Sequence, residues 1–215
     1  MTDLPAIRSA LADHAMIPDS MFDAVFPLEL RARSTVHWTP VDVALRAAQL
    51  LALRLPAPDT FRVLDVGAGV GKTCLIGALA TSFEWWGIER DPDQVAAARH
   101  AACLLGIGSP ERFMLGDAWS VDWSQFDAFY FFNPFHEAPD ESRGSPFVRY
   151  ARVKTQIDRA KHLLANARAG TRVVTYHGYG DELPDRYELV VREEAHTDAL
   201  ELWVLTSASS NRATP

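Results

Sequence analysis

Cysteine is scarce in this 215-residue chain, with Cys74 and Cys103 its whole supply. Two cysteines make neither a disulfide framework nor a metal signature. Both sit among apolar residues in helix-like stretches, so both are expected to pack in the core as small hydrophobes, in a reducing compartment. Lysine is also rare, occurring only at Lys72, Lys154 and Lys161, and the net charge is −7. That net negative charge argues against a general nucleic-acid binder, whose affinity rests on neutralised phosphates. No apolar run approaches the ~18–20 residues needed to cross a bilayer. The first twenty residues carry Asp3, Asp13 and Asp19 and lack the apolar centre of a secretory signal. The expectation is a soluble, cytoplasmic protein with no membrane and no nucleic-acid partner.

Hydrophobic residues make up 48% of the chain and charged residues 23%, as in ordinary globular domains. Short apolar runs alternate with helical patterns. Strands are expected at Arg62–Val66, Glu84–Ile88, Arg112–Leu115, Ala128–Phe132 and Arg172–Tyr176. Helices are expected at Pro40–Leu53, Lys72–Thr81, Pro92–Leu105 and Val148–Ala167. Alternation of this kind implies a parallel sheet with helices on both faces. Tyr187–Glu193 and Leu200–Leu205 have no comparable helix between them and read as an antiparallel pair at the sheet edge. The fold class is therefore α/β: a doubly wound, Rossmann-like seven-stranded sheet with a C-terminal antiparallel hairpin and a helical N-terminal extension. Residues 1–55 form the extension, 56–207 the main domain and 208–215 a frayed tail. Ala138–Ser145 is polar, with Pro139 and Gly144, and reads as a loop beside the fourth strand.

The strongest chemical signal is Asp65-Val66-Gly67-Ala68-Gly69-Val70-Gly71-Lys72-Thr73, where a buried strand runs through a glycine turn into a helix. Ligands of open α/β sheets bind at such strand ends. A phosphate-binding P-loop ends in Gly-Lys-Thr as here, but its first glycine is replaced by Val66. A nicotinamide-dinucleotide fingerprint fits Gly67 and Gly69 but meets Lys72 where a small residue packs helix on strand. The third pattern is an acidic strand end followed by alternate glycines: Asp65, Gly67, Gly69, Gly71. It resembles the first motif of the class I (seven-β-strand) S-adenosylmethionine-dependent methyltransferases.

Further carboxylates follow in that family's order. Glu89 closes the second strand, followed by Arg90; Asp117-Ala118 follows the third and Asn133-Pro134-Phe135 the fourth. The resemblance implies S-adenosylmethionine as cofactor, held by Asp65, Gly67, Ala68, Gly69, Glu89, Arg90, Asp117, Ala118 and Asn133. By the same resemblance Glu89 accepts from the ribose hydroxyls and Asp117 from the adenine amino group, while Ala118 offers its N–H to the ring. In amino-methylating enzymes with Asn-Pro-Pro-Phe or Asn-Pro-Pro-Tyr, the asparagine accepts from the target amine and the aromatic ring packs on it. Asn133, Pro134 and Phe135 resemble that motif with one proline fewer, which implies methylation of nitrogen on a protein side chain or a small amine. Ser34–Pro40 holds the place of a cofactor-contacting segment in histone lysine methyltransferases of the disruptor-of-telomeric-silencing type. There Thr39 is the matching residue, and its bottom-up alternative is a helix N-cap.

Candidate bases are Glu137, the best placed, with His136, His177 and His37 beside it. Trp38, Tyr176 and Tyr179 are candidates for a substrate pocket, whereas Trp85 and Trp86 read as packing. Two other readings remain open on sequence. One is an NAD(P)-dependent oxidoreductase using Tyr150 and Lys154. The other is a non-catalytic cofactor-binding partner subunit.

Overall fold

The structure is a computed structural model describing residues 2–32, 38–55, 60–135 and 145–207. His37, His136, Glu137, most of the 138–145 loop and the 208–215 tail fall outside those residues. The first 55 residues contribute α1 (Leu4–Ala12), α2 (Asp19–Asp23), α3 (Leu28–Arg31) and α4 (Val41–Ala52). Then follow β1 (Arg62–Val66), α5 (Lys72–Ala80), β2 (Glu84–Glu89), α6 (Pro92–Leu104), β3 (Phe113–Leu115) and β4 (Ala128–Phe131). The chain continues through α7 (Pro146–Ala165), β5 (Arg172–Tyr176), β6 (Tyr187–Ala195) and β7 (Asp198–Leu205). No described helix is long and apolar enough to cross a membrane.

The seven strands form one sheet in the order β3-β2-β1-β4-β5-β7-β6. β1 pairs in parallel with both β2 and β4, and β4 with β5. β7 runs antiparallel between β5 and β6, so the C-terminal hairpin enters the sheet through its second strand. The chain leaves β1 in one direction for β2 and returns on its other side as β4. The loops after β1 and β4 diverge there and open a crevice at the strands' C-terminal ends.

Alternation along β1 divides the core. Val63 joins the layer containing α4, α5 and α6, while Leu64 and Val66 join the layer under α7. α4 is buried almost all round, through Val41, Val43, Ala44, Leu45, Ala47, Ala48, Leu50 and Leu51. Arg172 Nη1 donates to the carbonyl of Leu51 at 2.9 Å and closes its last turn. α6 starts at Asp91, whose side chain accepts from the N–H groups of Asp93 and Gln94, followed by Pro92. That helix buries Val95, Ala97, Ala98, Ala101 and Ala102. Cys103 falls on its outer side and is exposed, which corrects the expectation that both cysteines are core. Cys74 is buried. α7 starts two residues before its expected position because Ser145 accepts from Val148 N–H and Pro146 supplies the first turn.

Lys72 opens α5 and is only 4% exposed. Its Nζ lies 2.5 Å from Asp19 Oδ1 and 2.7 Å from Asp23 Oδ1, the latter off the axis of a hydrogen bond. Asp19 Oδ1 also accepts the Val41 N–H at 2.9 Å, at the start of α4. One buried ammonium thus fastens α2 and the entry of α4 to the helix that follows the glycine turn. Burial pushes the Asp23 carboxyl up, and Lys72 partly offsets this. Lys72→Met leaves Asp23 buried and uncompensated and is expected to cost about 3–5 kcal/mol in denaturant unfolding. The additional substitution Asp23→Leu should recover part of that loss.

Candidate cofactor cleft

The glycine turn is held by the neighbouring strand. The N–H groups of Gly67 and Ala68 both donate to the carbonyl of Ile88 at 3.0 Å, and Gly71 N–H donates to Ala68 at 2.8 Å. Gly69 N–H donates to Glu89 Oε2 at 2.9 Å. Gly67, Gly69 and Gly71 all have positive φ. At Gly71 a side chain is also excluded by space, since a Cβ there would lie 2.3 Å from Phe113. The N–H groups of Gly67, Ala68, Gly69 and Gly71 are therefore spent inside the protein, and a carboxylate stands against the turn. A phosphate-binding turn needs its N–H groups free and no anion beside them. This is unfavourable for a P-loop and for a pyrophosphate lying on the turn.

Two narrow recesses meet at Gly67. The first is lined by Val66, Gly67, Ile88, Glu89, Arg90, Gly116, Asp117, Ala118, Pro134, Phe135 and Gln156. It joins the ends of β1, β2, β3 and β4 with one residue from α7. Glu89 Oε1 accepts from the N–H groups of Arg90 (2.7 Å) and Asp91 (3.0 Å). Its carboxylate holds the turn rigid and retains capacity for one further donor. Asp117 caps the short helical turn Ala118–Ser120 through Trp119 N–H at 3.2 Å. Only its Oδ1 is engaged among the described residues. The Ala118 N–H begins that turn and has no partner within it. Phe135 is 6% exposed and stacks on Trp119, centroids 5.7 Å apart, and Trp119 also stacks with Trp123 and carries the Arg159 guanidinium over its ring.

The second recess is lined by residues including Trp38, Thr39, Asp65, Gly67, Ala68, Gly69, Lys72, Tyr130 and Phe132. Asp65 is 4% exposed, and its side-chain partner is the Cys74 thiol at 3.6 Å. Burial pushes its carboxyl up to about 7, with the nearby Glu89 charge adding to the shift. Thr39 Oγ1 lies 3.0 Å from the Tyr130 hydroxyl. The residue capping α4 is Pro40, with no side-chain cap, so Thr39 serves this buried contact rather than the helix end. Burial pushes the Tyr130 hydroxyl up well beyond its ordinary range.

Asn133 takes a left-handed backbone (φ 42°), and its N–H donates to Gly178 at 2.9 Å. The structure thus gathers Thr39, Asp65, Gly67, Ala68, Gly69, Glu89, Arg90, Asp117, Ala118, Pro134 and Phe135 around one cleft, with Asn133 at its edge. Glu137 and His136 lie outside the described residues. His177 has both ring nitrogens engaged, Nδ1 with Asp198 (2.9 Å) and Nε2 with Thr197 (3.0 Å). Tyr176 is core, Trp38 lines the second recess and Tyr179 lines a separate cavity. Tyr150 is 68% exposed and Lys154 pairs with Asp158, and neither lines the cleft. Sequence reasoning missed Gln156, Trp119 and the Lys72 ion pairs. Lys72 carried a signal, as the large residue that spoils the dinucleotide pattern.

No protein-family model matches the chain. Over 141 residues it is 26% identical to ajmaline N-methyltransferase of Rauvolfia serpentina, across 65% of this chain and 44% of that enzyme's length. The chain thus spans less than half of that relative. It superposes on an RNA methyltransferase from Salinibacter ruber, in complex with S-adenosyl-L-homocysteine, with TM-score 0.56 and 22% identity. That match covers 82% of this chain and 99% of the other. TrmN from Thermus thermophilus matches with TM-score 0.53 and 23% identity, over 77% of this chain and 49% of that one. The fold is that of the class I, Rossmann-like methyltransferases.

Asp65 gives a pH test of the buried carboxyl. Its raised pKa means that it favours the folded state when neutral, at or below about pH 4, and that this contribution is lost as the pH rises to about 7. Asp65→Asn should therefore melt higher than the parent at pH 8, with the difference shrinking towards pH 4. Thermal denaturation across that range measures it, and a difference independent of pH would contradict the assignment.

Proposed function

We propose that this chain is an S-adenosylmethionine-dependent methyltransferase acting on nitrogen, on a protein side chain or a small amine. The observation that carries the reading is the pair of recesses meeting at Gly67, one nucleoside-like and one ending on a buried carboxyl. The donor set fits the group. Among the described residues no cation pairs with the buried Asp65, and the ammonium of a methionyl group would supply one. Glu89 and Asp117 offer acceptors at the ends of β2 and β3 in the same recess, which Phe135 also lines. The spent amides of the turn disfavour a dinucleotide.

The cofactor, when bound, supplies an electrophilic methyl on a positively charged sulfur. The chain's own residues position and shield. The Glu89 carboxylate makes the cleft negative, and a cation beside Asp65 would draw that buried acid towards its charged form. Gly67, packed under Pro134 with 3.2 Å between its would-be Cβ and Pro134 Cβ, keeps backbone and ligand close. Because Phe135 is committed to Trp119, target recognition falls to Asn133 and the Pro134 backbone. The left-handed turn at Asn133 fixes its main chain to Gly178 and leaves its carboxamide without a partner among the described residues. Holding a neutral amine about 3 Å from the methyl can supply most of the acceleration. The resemblance to chromatin-lysine enzymes adds Thr39 to the cofactor contacts, beside Asp65 in the second recess.

Two variants separate the roles. Glu89→Ala is expected to weaken S-adenosylmethionine binding by about 1.5–3 kcal/mol, since a charged acceptor is lost. Asn133→Gly keeps the left-handed backbone while deleting the carboxamide. It should lower turnover on an identified substrate with little change in cofactor affinity. Calorimetry and steady-state kinetics read the two, and unchanged cofactor affinity in Glu89→Ala would remove that residue from the site.

A further inference from the structure

A cavity larger than either recess of the cofactor cleft lies elsewhere in the fold. It measures about 370 Å³ and is lined by Thr175, Gly178, Tyr179, Asp181, Glu182, Leu183, Glu201 and Trp203. That volume lies in the range of small-molecule sites. It lies where β5 leads into β6 through the irregular segment 177–186 instead of a helix. Its floor is Thr175 on β5 and Glu201 and Trp203 on β7, and its wall is the loop from Gly178 to Leu183.

The floor is organised by a single carboxylate. Glu201 Oε2 accepts from Trp203 Nε1 at 3.1 Å and from Thr175 Oγ1 at 3.4 Å, and its Oε1 accepts from Arg192. The indole is therefore held in one orientation as part of the cavity lining. Every charged lining residue is acidic: Asp181, Glu182 and Glu201. Lys161 and Arg192 balance two of them without lining the cavity, which leaves one negative charge in excess. Carboxylates beside a tryptophan face suit an organic cation carrying an apolar body. The cavity also touches the methyl-transfer turn, because the Gly178 carbonyl receives the Asn133 N–H.

We infer that this cavity binds the protonated amine of a small organic cation and serves as the anchoring subsite of the methyl acceptor. The binding stands on the cavity alone, and its role as an acceptor subsite rests on the function proposed above. The anchored nitrogen is not the one methylated, because carboxylates keep it protonated and without a free lone pair. The acceptor is thus a small molecule with an ammonium at one end and a second nucleophilic nitrogen that reaches Asn133. A protein side chain is disfavoured.

Titration of the full chain with phenethylamine, 2-phenylethanol and phenylacetate, read by calorimetry, tests the inference, with S-adenosylhomocysteine titrated in parallel. Phenethylamine is expected to bind saturably, at least about tenfold tighter than the alcohol and the acid. Glu201→Gln and Glu182→Gln should each weaken it severalfold while S-adenosylhomocysteine binding stays unchanged, which also shows that both variants fold. Equal binding of amine and alcohol, no saturable amine binding, retention in both variants, or displacement of the amine by S-adenosylhomocysteine would each overturn it. If the amine binds and S-adenosylhomocysteine does not, the cavity stands and the methyltransferase reading fails. The opposite result fails the cavity alone.

Discussion

The buried ammonium of Lys72 is the contact on which the arrangement of the cleft depends. It sits at the first residue of α5, directly after the glycine turn, and pairs with two carboxylates of the N-terminal extension. Through Asp19 the same ion pair reaches the first N–H of α4. The segment carrying Trp38 and Thr39 lies between α2 and α4, so its placement over the second recess follows from that fastening. A buried pair of this kind is weak evidence of net stability, because desolvation costs about what attraction returns. Its effect is specificity: only one docking of the extension satisfies Lys72, Asp23 and Val41 N–H together.

A second constraint acts on the turn itself. Its N–H groups go to Ile88 and Glu89, so the backbone is rigid before any ligand arrives. Glu89 thus combines two duties, holding the turn and presenting an acceptor to the nucleoside recess. Asp65 lies behind the turn as an acid that burial pushes up to about 7, which makes its ionisation responsive to a cation placed beside it. Preorganised charge of this sort favours a positively charged ligand without reorganisation at the moment of binding. The amides of Gly67, Ala68, Gly69 and Gly71 are already used and Glu89 stands beside them, which disfavours a phosphate on this turn.

Much of this could be read from the chain. Short apolar runs separated by helical patterns placed β1, β2, β4 and β5, because strands buried on both faces read as continuous apolar stretches. The order Asp65, Glu89, Asp117, Asn133 placed four strand ends at one crevice, since parallel topology brings such ends together. Side-chain duties were less legible. Phe135 reads as a target-stacking ring until Trp119 is seen against it, and nothing in local spacing announces a stack across sixteen residues. Lys72 reads as a misfit until α2 supplies its carboxylates, fifty residues upstream. The acidic cavity was invisible for the same reason, as Thr175, Asp181 and Glu201 meet only through the insertion of β7 beside β5.

The most direct test of the central claim is calorimetric titration of the purified chain with S-adenosylmethionine, S-adenosylhomocysteine, NAD and NADP. Saturable binding of the first two, with no heat of binding from either dinucleotide, is the predicted result. Binding of a dinucleotide with none of the adenosyl sulfur compounds would contradict it.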